Sequence, residues 1–177
     1  MPNRTSKCGF TIVELMVTLA VAAILMGIAI PAFNDFIAQR TMASRVNDFV
    51  IAVSYARSEA ARRGGIVSIV AEDASDGGNE WGPGYCVIPG APANCDDDDE
   101  VLRRFEGMDD ATLNAQGAGF DGEDTLSFNA RGMLTPQPPG PGTIELCSTD
   151  EDVDPGRLVR IGVIGRADAE ELECHGG

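Results

Sequence analysis

The chain has 177 residues, a length that suits one domain with a modest core plus an extension. It carries 13 Lys and Arg residues against 28 Asp and Glu residues, which gives a formal net charge of −15. This acidity argues against nonspecific binding to a phosphate backbone, which needs clustered cations. The sequence has a single histidine, His175, so it offers little of the commonest acid–base group of enzymes at neutral pH.

The N-terminal part of the chain predicts a membrane-spanning helix. The 19 residues from Leu15 to Phe33 contain no charge, and as a helix they would extend about 28 Å, close to the thickness of the hydrocarbon core. Arg4 and Lys7 precede this run, which favours a cytoplasmic N-terminus. A secretory signal peptide would have a shorter apolar core followed by a small-residue cleavage site. A plain membrane anchor would leave the acidic Glu14, at the edge of the run, without a role.

The segment Lys7-Cys8-Gly9-Phe10-Thr11-Ile12-Val13-Glu14-Leu15 resembles the type III signal of type IV prepilins. The resemblance implies that prepilin peptidase cuts between Gly9 and Phe10 and N-methylates Phe10. It also implies that Glu14 neutralises the new N-terminus of an adjacent subunit during assembly. Pro31 matches a proline that pilins carry in this helix, where a kink is expected. Loss of residues 1–9 would take the formal side-chain charge from −15 to −17.

A helical pattern continues beyond the apolar run. Apolar residues recur at steps of three and four on one face: Met42, Val46, Phe49, Val50, Val53 and Ala60. The pattern stops at Gly64-Gly65, which predicts one helix from Phe10 to about Arg63. We interpret this stripe as core packing rather than as a cofactor site. The expected divisions are therefore a leader (1–9), a transmembrane or filament-core helix (10–34), an amphipathic helix (35–64) and a head (65–177).

Six short strands are predicted in the head, joined by connections rich in Gly, Pro and Asp. They are Ile66–Val70, Tyr85–Ile88, Val101–Phe105, Thr125–Phe128, Thr143–Cys147 and Leu158–Ile164. Without a second long helix, the predicted fold class is α+β, with a long N-terminal helix packed on a mostly antiparallel head, as in the pilin fold.

Three motifs in the head resemble the GspH/FimT-like minor pilins and pseudopilins. They are Trp81-Gly82-Pro83-Gly84-Tyr85 before a strand, Leu126-Ser127-Phe128-Asn129-Ala130-Arg131-Gly132, and a final strand ending in Ile164-Gly165-Arg166. The resemblance implies two small sheets and a structural role in a type IV pilus or a type II secretion system. The implied partners are prepilin peptidase/methyltransferase, other pilins or pseudopilins, an inner-membrane assembly platform and, before assembly, membrane lipid. No cofactor and no enzymatic activity are expected. The expected location is the bacterial inner membrane, with a cytoplasmic N-terminus and a periplasmic head that enters a filament.

Four cysteines lie in the head, whereas Cys8 belongs to the expected leader. In an exported domain, an even set suggests two disulfides with three possible connectivities. Reduced thiols or a zinc site are the alternatives, but zinc sites usually show a C-x2-C pair, which is absent here. The preferred pairing closes two local loops, Cys86 with Cys95 and Cys147 with Cys174.

Two charged features allow other functions. The run Asp96-Asp97-Asp98-Asp99-Glu100 suits Ca²⁺, but it lacks the alternating ligands and central glycine of an EF-type loop, so we expect a solvated acidic loop. Arg157, Arg160 and Arg166 suggest the alternative of a DNA-binding minor pilin for natural transformation. Some FimT-like relatives carry a C-terminal Gly-Arg-x-Arg, but here Asp168 stands at the second arginine position. We therefore expect these arginines to pair with local carboxylates and not to bind nucleic acid.

Overall fold

The computed structural model describes residues 10–72, 79–91, 94–95, 100–108, 111–117, 119–149 and 156–174. The chain divides into two compact units after Ala38. Helix α1 (Ile12–Arg63) begins in the first unit and ends in the second. The long helix predicted from the sequence is confirmed. It includes Pro31 without an interruption of the helix, and a kink at this proline stays a prediction.

The head contains two four-stranded antiparallel sheets. The first sheet has the strand order β3-β2-β1-β5, and the second has the order β4-β6-β7-β8. The α+β class and the two small sheets are therefore confirmed. The strands are β1 (Val67–Ala71), β2 (Gly84–Pro89), β3 (Arg103–Glu106), β4 (Ala111–Gly117), β5 (Thr125–Phe128), β6 (Gly142–Ser148), β7 (Gly156–Ile161) and β8 (Ala167–Leu172).

The second half of α1 lies on the main core of the head. Its buried side chains follow steps of three and four residues, so they form one stripe facing the sheets. The stripe consists of Met42, Val46, Phe49, Val53, Ala56 and Ala60. The amphipathic pattern predicted for this part of the helix is confirmed, and the predicted member Val50 is partly buried at its margin.

An aromatic cluster forms the centre of this core. The Phe49 ring lies 5.4 Å from the Trp81 ring and 5.1 Å from the Tyr85 ring, in edge-to-face geometry. The Trp81 indole N–H donates to the Glu123 carbonyl at 2.9 Å. The Trp81 backbone N–H donates to the Leu113 carbonyl at 3.1 Å. Trp81 is therefore held between the two sheets and presents its ring to the helix.

The first sheet has a smaller second core on its opposite face. There Val70 and Ile88 are buried against the disulfide of Cys86 and Cys95, with Val101 packed beside them. Every residue of β1 is buried, because the helix covers one face and this loop covers the other. The apolar character of β1, interrupted only by the buried Ser68, follows from burial on both faces.

Two strands of the head were not predicted from the sequence, and the predicted C-terminal end of the last strand was wrong. Strands β4 and β8 were not predicted. The strand predicted to run to Ile164 ends at Ile161, because a turn follows in which the Gly165 N–H donates to the Gly162 carbonyl at 2.7 Å. The chain then returns as β8, so Ile164-Gly165-Arg166 precedes the last described strand and does not end it.

The last turn of α1 carries an ion-pair cluster. Glu59 is buried at the residue level and accepts from Arg62 Nη2 at 2.6 Å and from Arg63 Nε at 3.0 Å. Hydrogen bonds from Arg62 and then Arg63 lower the pKa of Glu59 from 4.5 to about 2, against the opposing effect of burial. The two arginines also suit the negative end of the helix dipole.

We predict that Phe49→Ala destabilises the head by about 3–5 kcal/mol, because it leaves a cavity between Trp81 and Tyr85. Ile51→Ala is the matched control, since Ile51 is exposed on the same helix, and its effect should stay within about 0.5 kcal/mol. Guanidinium unfolding of the detergent-solubilised chain, followed by Trp81 fluorescence, measures both. Equal effects of the two substitutions would contradict the packing described here.

We predict that Glu59→Gln removes a pH-dependent part of the stability. The depressed pKa means that the carboxylate stabilises the folded state fully above about pH 4.5 and progressively less as the pH falls towards 2. The difference in free energy of unfolding between the unchanged chain and Glu59→Gln should therefore shrink over that window. Ile51→Ala, which removes no ionisable group from the same helix, should show no such convergence. A difference that stays constant down to pH 2 would rule out the ion-pair cause.

Candidate functional site

The start of α1 is capped by Thr11. The Thr11 hydroxyl accepts from the Glu14 backbone N–H at 3.2 Å, and the Thr11 carbonyl accepts from the Leu15 N–H at 3.2 Å. Thr11 is therefore the N-cap, and Glu14 occupies the third helical position, where an acid is favoured by the helix dipole. Phe10 precedes the cap with 76% of its surface exposed. The order Thr-x-x-Glu is a capping-box pattern, a signal in the sequence that marks this helix start.

The following part of α1 presents apolar side chains on all sides. The segment Ile12–Ile30 has a mean hydropathy of 2.4, and no part of it is buried within the described chain. Its exposed large side chains include Leu15, Val17, Leu19, Ile24, Leu25, Ile28 and Ile30. Scattered apolar residues are normal on a surface, but a continuous apolar helix of this size must be covered by lipid or protein. Glu14 is the only charged residue between Phe10 and Phe33.

Of the predicted processing and assembly positions, Gly9 is not described and Pro31 is described only in part. Gly9 lies outside the described residues. The backbone of Pro31 lies within α1, while its side chain is outside the described set. Phe10 precedes the first turn of the helix, and Glu14 lies within that turn. Their roles in cleavage, methylation and assembly stay predictions.

The structure contains two disulfides, which join the same cysteine pairs as those preferred from the sequence. Cys86 and Cys95 have Cα atoms 5.9 Å apart, and Cys147 and Cys174 have Cα atoms 5.7 Å apart. The second disulfide crosses β7 at Gly156, where a Cβ atom would overlap the Cys174 sulfur. It ties the end of β8 to β6, two strands away in the sheet.

The motif Trp81–Tyr85 is a structural turn rather than a binding loop. Gly84 has φ of +129°, a conformation that L side chains rarely adopt, and its Cβ would meet the Phe105 carbonyl at 3.0 Å. This turn places Trp81 and Tyr85 together, with their ring centroids 6.2 Å apart. It therefore delivers two rings of the central cluster at the start of β2.

The motif Leu126–Gly132 forms a strand followed by a closed turn. The Asn129 side chain accepts from the Arg131 N–H at 2.9 Å, and the Gly132 carbonyl accepts from Arg57 Nε of α1 at 2.8 Å. Gly165, at φ +77°, packs against this turn, and its Cβ would meet the Phe128 ring at 2.9 Å. These motifs therefore hold the helix to the head through Arg57, a contact that the sequence motifs do not indicate.

The three arginines considered for DNA binding lie on or next to the hairpin of β7 and β8, and each faces a carboxylate. Arg157 Nη1 lies 2.7 Å from Glu171, as an ion pair without an aligned hydrogen bond. Arg160 lies 3.0 Å from Glu170, and Arg166 lies 3.1 Å from Asp168. Hydrogen bonding to Arg160 lowers the pKa of Glu170, which keeps that carboxylate charged. The hairpin therefore presents paired charges rather than a cationic patch.

The acidic run Asp96-Asp97-Asp98-Asp99 lies outside the described residues, so the choice between a solvated loop and a Ca²⁺ loop stays open. The neighbouring Glu100 is described and exposed. His175 also lies outside the described residues.

Comparisons with known proteins agree with this architecture. Residues 45–165, more than half of the chain, match the family described as Type II transport protein GspH. Residues 4–30 match the prokaryotic N-terminal methylation motif. The type IV minor pilin FimU of Pseudomonas aeruginosa superimposes with a TM-score of 0.57 and 28% identity, over 76% of this chain and 92% of that one.

Curated relatives come from pili. A fimbrial protein of Dichelobacter nodosus is 32% identical over 109 residues, which cover 62% of this chain and 59% of the relative. A type IV major fimbrial protein FimA of the same species is 36% identical over 110 residues, which cover 59% of this chain and 55% of the relative. The chain thus spans less than two thirds of the length of these relatives.

The methylation motif, the apolar helix and the two-sheet head together define a type IV pilin-like structural subunit. Such subunits are structural, not enzymatic. Within this class, the chain belongs to the family of Type II transport protein GspH, and the resemblance stated from the sequence is confirmed. The apolar helix and the prepilin-type motif indicate anchoring in a membrane.

Proposed function

We propose that this chain is a minor pilin or pseudopilin that prepilin peptidase cuts between Gly9 and Phe10 and then N-methylates on Phe10. The processed subunit waits in the inner membrane and is then assembled into a periplasm-spanning filament, for pilus biogenesis or protein secretion. The observation that carries the proposal is Glu14, the one charged residue of the apolar segment Ile12–Ile30, which the described chain leaves uncovered.

Glu14 needs a cation in its final environment. A carboxylate inside an apolar assembly is costly unless it is paired. The helix dipole and the capped first turn offset part of that cost, but they supply no full charge. The α-amino group of Phe10 on a neighbouring subunit would supply it, and that group exists only after cleavage behind Gly9. Cleavage and register are coupled in this scheme, because only correctly aligned subunits pair the two charges.

The exposed apolar helix explains both stages of the life cycle. The 19-residue segment Ile12–Ile30 extends about 28 Å, enough to cross the hydrocarbon core. In the filament, equivalent helices of neighbouring subunits would cover the same side chains. An assembly platform in the inner membrane is needed to move the helix from lipid to this protein environment.

The proposed topology places the N-terminus in the cytoplasm and the head in the periplasm. Arg4 and Lys7 before the apolar segment favour this orientation. The two disulfides of the head favour an oxidising compartment such as the periplasm. Both features point to the same side of the membrane for the head.

DNA binding is disfavoured, because Arg157, Arg160 and Arg166 are each paired with a carboxylate. The choice between a type IV pilus and a type II secretion system depends on the genes beside this one. A pilus cluster or a secretion-channel operon would assign the subunit to one of the two machines.

We predict that Gly9→Ala blocks cleavage and leaves an inner-membrane precursor that is larger by residues 1–9. Intact-mass analysis of the protein from its native host should find an N-methylated Phe10 in the unchanged chain and no such species in the variant. Gly27→Ala is the matched control, since an added Cβ there meets no atom within 4 Å, and it should be processed normally. Normal processing of Gly9→Ala, or a mature species beginning elsewhere, contradicts the cleavage site.

We predict that Glu14→Gln is cleaved and methylated but enters filaments at least tenfold less efficiently. The reason is that loss of the ion pair in an apolar setting costs more than the about 1.4 kcal/mol that corresponds to a factor of ten. The measurement is the ratio of filament-bound to membrane-bound subunit in sheared or affinity-purified filaments. Thr18→Ala, one turn further along the same helix, should behave like the unchanged chain. Incorporation of Glu14→Gln at the normal ratio would contradict the proposed pairing of Glu14 with the Phe10 amine of a neighbour.

A further inference from the structure

A groove of about 210 Å³ lies between α1 and the outer strand of the first sheet. Arg45 and Asp48 of the helix form one side, and Arg103 and Phe105 of β3 form the other. Tyr85 closes it from β2. Because β3 is the edge strand of its sheet, the groove lies at the edge of the head. All of these residues belong to the unit that begins at Gln39.

The groove contains two guanidinium groups without a carboxylate partner within 4.0 Å among the described residues. Arg103 stacks on the Phe105 ring, with its guanidinium carbon 4.7 Å from the ring centre. The positive charge of Arg45 is close enough to Tyr85 to lower the pKa of its hydroxyl. Arg45 makes no ion pair within the described part of the chain. Six other described arginines of the head are ion-paired: Arg62 and Arg63 with Glu59, Arg104 with Glu72, Arg157 with Glu171, Arg160 with Glu170, and Arg166 with Asp168.

The hydroxyl of Tyr85 is a third unused group. Tyr85 is 4% exposed and lines the groove, yet its hydroxyl makes no hydrogen bond to any described residue. Burial and then Asp48 raise the pKa of Tyr85, while Arg45 and Arg103 oppose the shift. The phenol is therefore protonated at neutral pH and can donate a hydrogen bond. An incoming acceptor would therefore give this hydroxyl a hydrogen-bond partner.

The other lining groups decide the kind of ligand. Asp48 and Glu106 place two negative charges beside the guanidinium groups of Arg45 and Arg103, while Arg104 is paired with Glu72, so the lining is balanced in charge within an otherwise acidic chain. The remaining wall is apolar and consists of Phe105, Met108 and Leu113. A single carboxylate on an aliphatic stem matches both parts of the groove.

We propose that this groove binds an acidic side chain in a segment of a neighbouring pilin or pseudopilin, with Arg45, Arg103 and the Tyr85 hydroxyl as its ligands. The partner's identity rests on the proposed function, whereas the carboxylate chemistry rests on the groove alone. An acidic segment fits better than a nucleic acid, because a long polyanion would extend beyond the groove into the field of a chain with 15 excess negative charges. Arginine also pairs with a carboxylate in two parallel hydrogen bonds, which adds geometric selection.

The test measures binding of two synthetic hexapeptides to the full processed chain in neutral detergent by calorimetry. One is acetylated and amidated Gly-Leu-Glu-Glu-Leu-Gly, and the other carries Gln in place of both Glu residues. We expect the Glu peptide to bind at least tenfold more tightly than the Gln peptide. Arg45→Gln and Arg103→Gln should each weaken it at least threefold, and Tyr85→Phe should weaken it while the aromatic contacts remain.

Arg131→Gln is the matched control, because it removes an exposed arginine outside the groove, and it should leave the affinity unchanged. Circular dichroism melting verifies that each variant is folded, and the comparison of the two peptides on the unchanged chain needs no variant at all. Equal affinity for both peptides, no binding at millimolar concentration, or equal weakening by Arg131→Gln would overturn the proposal. Tighter binding of inorganic phosphate or an oligothymidine than of the Glu peptide would overturn it in favour of a phosphate site. These outcomes are independent of the mature N-terminus, so the groove can fail while the cleavage site stands.

Discussion

The contact of Phe49 with Trp81 and Tyr85 is the interaction on which the head depends. It joins α1 to the turn before β2, at a point where Trp81 is also hydrogen-bonded to Glu123 and Leu113. A sheet with one apolar face must bury that face against another element, and here the second half of the helix is that element. The aromatic cluster therefore fixes where the helix lies on both sheets, and the groove beside Tyr85 inherits its geometry from the same contact.

Helix α1 meets two different physical demands along one continuous backbone. From Met42 onwards it buries a stripe of side chains against the head. Over Ile12–Ile30 it is apolar on all sides and uncovered by the described chain. The part of the helix from Met42 onwards is covered by the head of the same chain. The part over Ile12–Ile30 must be covered by lipid or by other helices. A subunit built in this way is incomplete alone, which is the property that a filament subunit needs.

Helices and strands were predicted correctly where the residue preferences of a segment agree with the structure that the segment adopts in the fold. The helix and the β-branched strand β1 were predicted within a few residues. Strand β4 was missed because its inward positions include the small residues Ala111 and Ala115, which give a weak alternating signal. Strand β8 was missed because Ala-Asp-Ala-Glu-Glu-Leu favours a helix by propensity. Cross-strand pairs such as Arg157 opposite Glu171 offset that preference in the folded head.

The processing signal and the groove differ in how far sequence alone can identify them. Gly9, Phe10 and Glu14 lie within six positions, so their spacing carries the information. Arg45 and Arg103 lie far apart in the chain and match no motif. These two arginines can be singled out only in the structure. There, other arginines of the head pair with carboxylates, and within the described residues Arg45 and Arg103 do not. Six of the eleven arginines in the described residues pair with a carboxylate of the head. Arg45 and Arg103 are not among these six and line one groove, where the proposed acid from another molecule would be their counterpart.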